Sequence, residues 1–325
     1  MAKLDFLVPQ YKEDKTIAAN LLDSIAMQRG IDFKDIRVII CNDGTDVNLP
    51  ADWLASFPFQ IDYYHEEHGG VSATRNKALD HSDGELVMFC DIDDGFYSAL
   101  GVWSIFKIYE KAPFDVLVPV FVEEQYDTET GVYNYLDHDK GDQVFVHGKV
   151  FRRQYLIEKE LRFDPSLTIH EDSFFINLAQ KCTTNIFRSD ASFYVWKYRP
   201  DSICRADPLY LLKTYVNLRD TQTALLEEYR RREFDEQWIG ELVVNFSYMT
   251  YYMMWQHEWM KLDNKRWREK AEKEFREYIR KYVDLGKNVP LNRQMEISQM
   301  QRAASIPRGM IQEAMSFGTW MRKML

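Results

Sequence analysis

The sequence predicts an α/β protein in which a mostly parallel sheet has helices on both faces and is followed by a C-terminal helical domain. Short apolar runs at residues 4–9, 36–41 and 86–90 alternate with segments of helical periodicity, as in parallel strands that are buried on both sides. From about residue 207 the sequence changes to long, charged, helix-compatible stretches. We therefore expect an α/β domain at 1–206 and a helical region at 207–325.

The first elements form a strand, loop, helix, strand unit. LDFLVP (4–9) predicts a strand, and residues 16–28 place apolar side chains at helical spacing. IRVIIC (36–41) predicts the next strand, which ends at the turn-forming NDGTD (42–46). This is how an open α/β sheet begins.

The next elements continue the same alternation. We expect a third strand in FQIDYYHE (59–66), a helix in GGVSATRNKALD (69–80) and a fourth strand in LVMFC (86–90). Polar loops follow three of the strands: PQYKED, NDGTD and DIDD. Ligands bind such sheets beyond the carboxyl ends of the strands, so the sequence predicts one crevice at which these loops meet.

The C-terminal region is predicted to be helical throughout. NKRWREKAEKEFREYIRKYVDLG (264–286) is one helix, with Gly286 and Pro290 as stop signals. Residues 242–260 are apolar and aromatic, but polar residues interrupt them, so we expect a buried helix or a subunit interface and no transmembrane segment. The aromatic residues of this stretch are more typical of a core than of a glycan groove: Tyr248, Tyr251, Tyr252 and Trp255.

Composition limits the function classes. Residues 1–206 carry 21 Lys and Arg against 34 Asp and Glu, whereas residues 207–325 carry 20 against 17. The acidic first part disfavours nucleic acid as a partner, although the basic tail is compatible with a position at the periphery of an anionic membrane. Four cysteines without zinc-type spacing are interpreted as reduced thiols, and the first residues do not have the pattern of a secretory signal. We expect a cytoplasmic protein.

Three aspartates follow the fourth strand directly. Because Asp91, Asp93 and Asp94 would crowd at one sheet edge, each would raise the pKa of the others. A divalent cation with oxygen ligands relieves that repulsion and leaves coordination sites for phosphate oxygens. The sequence therefore predicts a Mn²⁺ or Mg²⁺ site that holds a phosphorylated ligand.

Residues near the other strand ends have both a binding and an ordinary interpretation. Asp43 can accept hydrogen bonds from a nucleoside or simply form a turn. Tyr11, two residues after Pro9, can stack on a base or pack on the surface. Arg75 can pair with the crowded carboxylates, with a phosphate or with a surface acid.

A second acidic segment is HED at residues 170–172. Glu171 and Asp172 precede a helix-like run, where they either complement the helix dipole or serve as a base toward a hydroxyl group. His147 and His170 are expected near the acceptor of such a reaction. His65 and His68 have a zinc-like spacing but lack a third soft ligand nearby, so a surface pair is the better interpretation.

Taken in order, these motifs resemble the family 2 inverting glycosyltransferases with the Rossmann-like GT-A fold. The resemblance covers roughly residues 3–205 and is carried by FLVPQYKE, NDGT, GGVSATRN, DID, HEDSFF and WKYRPDSICR. Two departures are visible. Asn42 replaces the first aspartate of the family's Asp-Asp-Gly-Ser, and no later histidine is evident to complete the metal ligands.

The resemblance implies roles for individual residues. Pro9, Tyr11, Glu13 and Asp43 would meet the nucleoside. Asp91 would meet the ribose or the metal, Asp93 would bind the metal, and Asp172 would be the catalytic base. Arg199, Ser202 and Arg205 would close over the donor diphosphate, and Arg75 is expected among the residues that bind the nucleotide sugar.

The implied activity is inverting sugar transfer from a nucleoside-diphosphate sugar, with a UDP-sugar favoured, to an acceptor hydroxyl on a cell-surface glycan or polymer. The helical tail would bind the acceptor or form a homo-oligomer interface. Three alternatives remain: transfer to another hydroxyl such as one on a modified nucleic-acid base, nucleotidyl transfer with release of pyrophosphate, and a catalytically inactive glycan-binding module.

Overall fold

The computed structural model describes residues 2–202, 210–256 and 265–305. The chain divides into two compact units, residues 1–200 and 201–325, whereas the sequence placed the boundary at 206. The strands are β1 (Leu4–Gln10), β2 (Ile36–Asp43), β3 (Gln60–Glu66), β4 (Leu86–Phe89), β5 (Gly95–Phe96), β6 (Val116–Asp127), β7 (Val132–His138), β8 (Val150–Arg152) and β9 (Ile186–Trp196). The helices of the first unit are α1 (Lys15–Ala26), α2 (Ala51–Leu54), α3 (Gly70–His81), α4 (Gly101–Lys111), α5 (Arg153–Glu158) and α6 (Glu171–Lys181).

One sheet runs through the first unit in the order β3-β2-β1-β4-β8-β6-β9-β5, and β7 pairs with β6. The first four strands are parallel, as predicted. Beyond β4 the sheet is mixed, because β8 runs antiparallel to β4 and β6, while β6 and β9 are parallel. The carboxyl ends of β1, β2 and β4 therefore meet at one edge, which is where the predicted loops follow.

The two faces of the sheet are covered by different groups of side chains. On one face, Phe6 and Met88 share a buried cluster with Leu21 and Ile25 of α1. On the other face, Phe89 packs against Phe151, Phe163 and Phe175, the last of which belongs to α6. This alternation along β4 explains its continuous apolar sequence.

The second unit is helical in its described part, with α7 (Tyr210–Arg231), α8 (Glu236–Gln256), α9 (Lys265–Lys287) and α10 (Leu291–Ser305). The observed end of α9 is close to the predicted stop, because the helix ends at Lys287, before Pro290 and one residue after Gly286. A Cβ at Gly286 would lie 3.2 Å from Val244 Cγ2, so the glycine permits close packing of α8 and α9.

Two of the four aromatic residues predicted to be core residues of α8 can be assessed, since the side chains of Tyr252 and Trp255 lie outside the described part. Tyr251 is buried, and Tyr248 packs against a cluster of Val244, Val289 and Ile297. In the described ranges, no helix combines the length and the apolar character that crossing a bilayer requires.

Candidate active site

Arg75 joins three carboxylates from separate parts of the chain. Its Nη2 donates to Asp91 Oδ1 at 2.8 Å, while Nη1 donates to Asp172 Oδ1 at 2.5 Å and to Glu171 Oε1 at 3.2 Å. Burial alone would lower the pKa of Arg75, but the charges of its acidic partners raise it above its ordinary value, so the guanidinium stays charged. The start of α6 is thereby held against the loop that follows β4. Arg75 therefore pairs with Asp91, one of the crowded carboxylates, and its predicted contact with a phosphate stays a prediction.

Asp94 and His147 form a buried pair next to Asp91. Asp94 accepts hydrogen bonds from the Tyr194 hydroxyl at 2.8 Å and from the Lys197 backbone N–H at 2.9 Å. His147 Nδ1 lies 3.7 Å from Asp94 Oδ2 and has no hydrogen-bond partner among the described residues. The sequence associated His147 with the acceptor, whereas the structure places it against these carboxylates.

The group formed by Asp91, Asp94 and His147 fits a divalent cation. One ligand atom of each lies within 4.8 Å of the others. The buried Nδ1 of His147 without a partner is the kind of atom that a metal ligand supplies. Carboxylate oxygens with one imidazole nitrogen suit Mn²⁺ better than Mg²⁺, which prefers oxygen ligands alone. His147 is thus a candidate for the histidine ligand that the sequence left open.

Asp93 is paired with Arg199. The Arg199 Nη1 donates to Asp93 Oδ2 at 2.8 Å and lies 3.5 Å from Glu13 Oε1. The other oxygen of Glu13 accepts the backbone N–H groups of Tyr11 at 2.9 Å and Lys12 at 3.2 Å. Arg199 therefore connects the loop after β1 to Asp93. From the sequence, this arginine was expected near the donor diphosphate.

Asp43 fixes the beginning of α3. Its two carboxylate oxygens accept the backbone N–H groups of Gly69 at 2.7 Å and Gly70 at 3.0 Å. Gly70 has a φ of +81°, which favours glycine. His68 contacts the same carboxylate at 3.0 Å and stacks on the half-exposed ring of Tyr11, with 5.2 Å between ring centroids. Asp43 and Tyr11 therefore share one edge of the site.

Burial and mutual repulsion shift the aspartate pKa values. Burial and the charge of Asp91 raise the pKa of Asp93 to about 6, although Arg199 opposes this. Burial raises the pKa of Asp94 well above its ordinary range, and its aspartate neighbours add to the effect. Burial would also raise the pKa of Asp91, but Arg75 outweighs burial and keeps that pKa low. An additional positive charge would stabilise the ionised cluster.

Glu171 yields a pH-dependent prediction. Burial, with the charge of Asp172, raises its pKa from the ordinary 4.5 to about 7. Ionising it in the folded protein therefore costs free energy, and this cost grows as the pH rises from about 4.5 to 7. The free energy of unfolding of Glu171→Gln should equal that of the parent near pH 4. Above pH 7 it should be higher than that of the parent, by at most about 3 kcal/mol.

Urea unfolding at pH 4.5 and pH 8 measures this difference. Glu158→Gln is the control, because Glu158 is 52% exposed and should show little change with pH. A Glu171→Gln protein that is less stable than the parent at pH 8 would contradict the prediction.

Not every predicted site residue belongs to the cluster around Arg75, Asp91, Asp93 and Asp94. Pro9 lies within β1, paired in register with Cys41 of β2. His170 directly precedes α6 in a left-handed conformation, with a φ of 65°. Ser202 falls in the second unit, and Arg205 lies outside the described residues. The roles implied for these residues stay predictions.

Tyr194 and Lys197 contact the aspartates although the sequence did not predict it. Tyr194 is buried, and its hydroxyl both donates to Asp94 and accepts the backbone N–H of Asp91 at 3.0 Å. Both residues come from the end of β9 or just beyond it, far from DIDD in sequence. The only local signal in the sequence for these contacts was Asp94, the third aspartate of DIDD, because a buried carboxylate requires hydrogen-bond donors.

Residues 5–178 match the family described as Glycosyl transferase family 2, and this match covers more than half of the chain. The chain belongs to glycosyl transferase family 2. The matched region runs from β1 to α6 and includes Asp43, Arg75, Asp91 and Asp172.

Several relatives come from Bacillus subtilis and Streptococcus pneumoniae. The uncharacterized glycosyltransferase EpsJ of Bacillus subtilis is 24% identical over 219 residues, which is 62% of this chain and 62% of EpsJ. Glycosyltransferase GlyA of Streptococcus pneumoniae is 23% identical over 62% of this chain and 32% of GlyA. The minor teichoic acid biosynthesis protein GgaB of B. subtilis is 27% identical over 48% and 19%. The chain therefore spans less than two thirds of the length of each of these relatives.

Solved structures share the fold. The S. aureus TarS fragment 1-349 in complex with UDP-GlcNAc has a TM-score of 0.67 at 16% identity, covering 94% of this chain and 93% of that one. The mannosyltransferase PcManGT of Pyrobaculum calidifontis, in complex with GDP-Man and Mn²⁺, has a TM-score of 0.52 at 13% identity, covering 99% and 84%. The predicted GT-A fold, an α/β sheet with helices on both sides followed by a helical region, is confirmed.

Proposed function

We propose that this family 2 protein transfers a sugar from a nucleoside-diphosphate sugar to an acceptor hydroxyl with inversion at the anomeric carbon. One observation carries the proposal: Arg75 joins Asp91, in the predicted donor segment, to Asp172, the predicted base. In a single displacement the base and the bound donor must lie close together, because the base takes the proton of the hydroxyl group that attacks the donor. The UDP-GlcNAc bound by TarS and the names of the relatives favour a UDP-sugar and a cell-surface glycan acceptor.

A divalent cation, with Mn²⁺ favoured, is part of this proposal. When bound, it would neutralise the charge that develops on the leaving diphosphate. Asp91 and Asp93 are the ligands that the resemblance implies, and His147 and Asp94 offer further ligand atoms beside Asp91. Arg199, now paired with Asp93 at 2.8 Å, would exchange this carboxylate for a diphosphate oxygen.

In the proposed step, the acceptor oxygen forms a bond to the anomeric carbon while the bond from that carbon to the diphosphate oxygen breaks. The electron pair leaves with the nucleoside diphosphate, and Asp172 takes the proton of the hydroxyl group. Arg75 Nη1 and the Val146 N–H, at 2.5 and 3.2 Å, orient the Asp172 carboxylate. Because the transition state is oxocarbenium-like, support of the departing phosphate contributes more than tight binding of the sugar.

A screen of nucleotide sugars by thermal shift, with and without Mn²⁺, followed by analysis of the released product, tests the proposal. We expect a UDP-sugar to stabilise the protein only with the cation and to be hydrolysed slowly to UDP. Release of pyrophosphate from a sugar phosphate and a nucleotide would instead show a nucleotidyltransferase. Absence of stabilisation and hydrolysis with every donor would favour an inactive binding module.

Asp93→Ala tests the metal arrangement. We expect the variant to lose Mn²⁺-dependent donor binding by at least tenfold, because it lacks one carboxylate ligand for the cation that holds the diphosphate. Isothermal titration with the UDP-sugar found in the screen, with Mn²⁺ or with chelator, measures the loss. Asp190→Ala removes a carboxylate that is 84% exposed and should bind the donor as the parent does. Unchanged Mn²⁺-dependent affinity in Asp93→Ala would remove Asp93 from the metal site.

A further inference from the structure

An exposed aromatic surface covers one face of the hairpin formed by β6 and β7. Opposed residues of an antiparallel pair share a face, and Tyr126 is opposed to Tyr133. Tyr133 is 51% exposed and Tyr135 56% exposed. Two further rings join them, since Tyr198 lies 5.5 Å from Tyr126 and Tyr97 lies 6.4 Å from Tyr135 between ring centroids. We call these five residues the tyrosine surface.

The tyrosine surface borders the candidate active site. The Tyr198 backbone N–H donates at 3.3 Å to Glu124, a hairpin residue opposed to Tyr135. Its neighbours on either side, residues 197 and 199, hold Asp94 at 2.9 Å and Asp93 at 2.8 Å. One short segment therefore contacts both the hairpin and the aspartates. A chain molecule lying on the tyrosine surface would have one end beside the predicted donor site.

The chemistry of this surface matches a sugar chain. A contiguous patch of exposed aromatic side chains on a folded protein often marks a binding site. A tyrosine ring offers a flat apolar face for the C–H side of a sugar ring, and its hydroxyl offers a hydrogen bond at the edge. The Tyr135 hydroxyl donates to Glu124 at 3.1 Å, which leaves carboxylate and phenol oxygens to accept from sugar hydroxyl groups.

The charge of the hairpin distinguishes between kinds of acceptor. Residues 116–140 contain no arginine and a single lysine, Lys140, which pairs with Asp190 at 2.5 Å. The same segment contains six acidic residues, of which Glu124 and Asp137 share the face of Tyr133 and Tyr135. The other four are Glu123, Asp127, Glu129 and Asp139. A polymer linked by phosphodiesters would be repelled by this surface, whereas an uncharged sugar chain would not.

We propose that the tyrosine surface binds the acceptor and that this acceptor is a neutral sugar chain. The inference rests on the proposed sugar transfer and adds to it the class of acceptor. It also differs from the sequence expectation, which placed acceptor binding in the helical tail.

Affinity electrophoresis of the full chain through gels that contain a neutral polysaccharide tests the proposal. Dextran, yeast mannan and mixed-linkage β-glucan are the neutral probes, and poly(glycerol phosphate) is the anionic probe. We expect retardation by at least one neutral probe and none by the anionic probe. The double variant Tyr133→Ala/Tyr135→Ala should weaken the retardation at least fivefold. Leu136→Ala is the matched control, because Leu136 lies on the same strand, faces the opposite side and is 49% exposed.

Four results would overturn the proposal: no retardation by any neutral probe, stronger retardation by the anionic probe, equal retardation of the double variant, or equal weakening in the control. Sedimentation velocity adds a fifth. A dimer of the parent that dissociates in the double variant would show that the surface joins two copies of this chain. Circular dichroism melting confirms that the variants fold. Donor hydrolysis by the parent tests sugar transfer separately, so a failure of either proposal is recognised by itself.

Discussion

Asp172→Asn should abolish sugar transfer while leaving donor binding intact. Asn cannot take the proton of the acceptor hydroxyl, and the loss of a general base costs roughly 10²- to 10⁴-fold in rate. The change preserves the shape of the side chain, and its carbonyl oxygen can still accept the Val146 N–H. Arg75 keeps Asp91 and Glu171 as partners. We therefore expect kcat to fall about 10³-fold and the donor Kd to stay within about threefold of the parent.

The measurement pairs initial rates of transfer, with the acceptor in excess, with titration of the donor under the same conditions. Asp80→Asn is the matched control, because Asp80 lies on α3, is 61% exposed and pairs with Arg162 outside the cluster. Transfer at near the parental rate by Asp172→Asn would disprove its role as the base. If Glu171→Gln instead lost transfer completely, the base would be the neighbouring carboxylate.

Much of the first half of the fold could be predicted because local sequence determines it. The strands β1, β2 and β4 are apolar runs that are buried on both faces, and the polar loops after them necessarily share an edge. Asp91 and Asp43 could therefore be placed near one another from the sequence alone. The motif order then identified the family that the comparison found.

The remaining parts depend on contacts between residues far apart in sequence. His147 is adjacent to Asp94 because β6, β8 and β9 form a mixed half of the sheet, and neither spacing nor periodicity predicts that pairing. The close approach of Gly286 to Val244 of another helix has no local sequence signal either. The sequence likewise does not show that tyrosines from separate segments share one exposed face of the β6–β7 hairpin. Local rules predict elements and strand ends, whereas register and packing decide which distant residues meet.

Arg75→Met should be the most destabilising single change at this site. Met keeps an unbranched apolar stem but lacks the guanidinium group, so it removes the positive charge from three carboxylates. Arg75 is only 3% exposed, and its acidic partners are at most 29% exposed in their side chains. Loss of one partner from a buried ion pair costs about 3–5 kcal/mol, because the remaining charges stay desolvated and repel one another. For a protein of this size that corresponds to a fall of roughly 10 °C in Tm.

The pH dependence separates this cause from simple misfolding. Without Arg75, protonation is the remaining way to relieve the carboxylates, so the loss of Tm should be smaller at pH 5 than at pH 8. Arg75→Lys should lie between the parent and Arg75→Met, since one ammonium group cannot reach all three carboxylates as the planar guanidinium does. Arg162→Met is the control, because Arg162 is 38% exposed and pairs with the exposed Asp80. Its loss should stay within about 1 kcal/mol. Two results would contradict this prediction. One is a Tm of Arg75→Met within about two or three degrees of the parent at pH 8, and the other is a larger loss of Tm at pH 5 than at pH 8. Either would show that the three carboxylates do not depend on Arg75 for their charge balance.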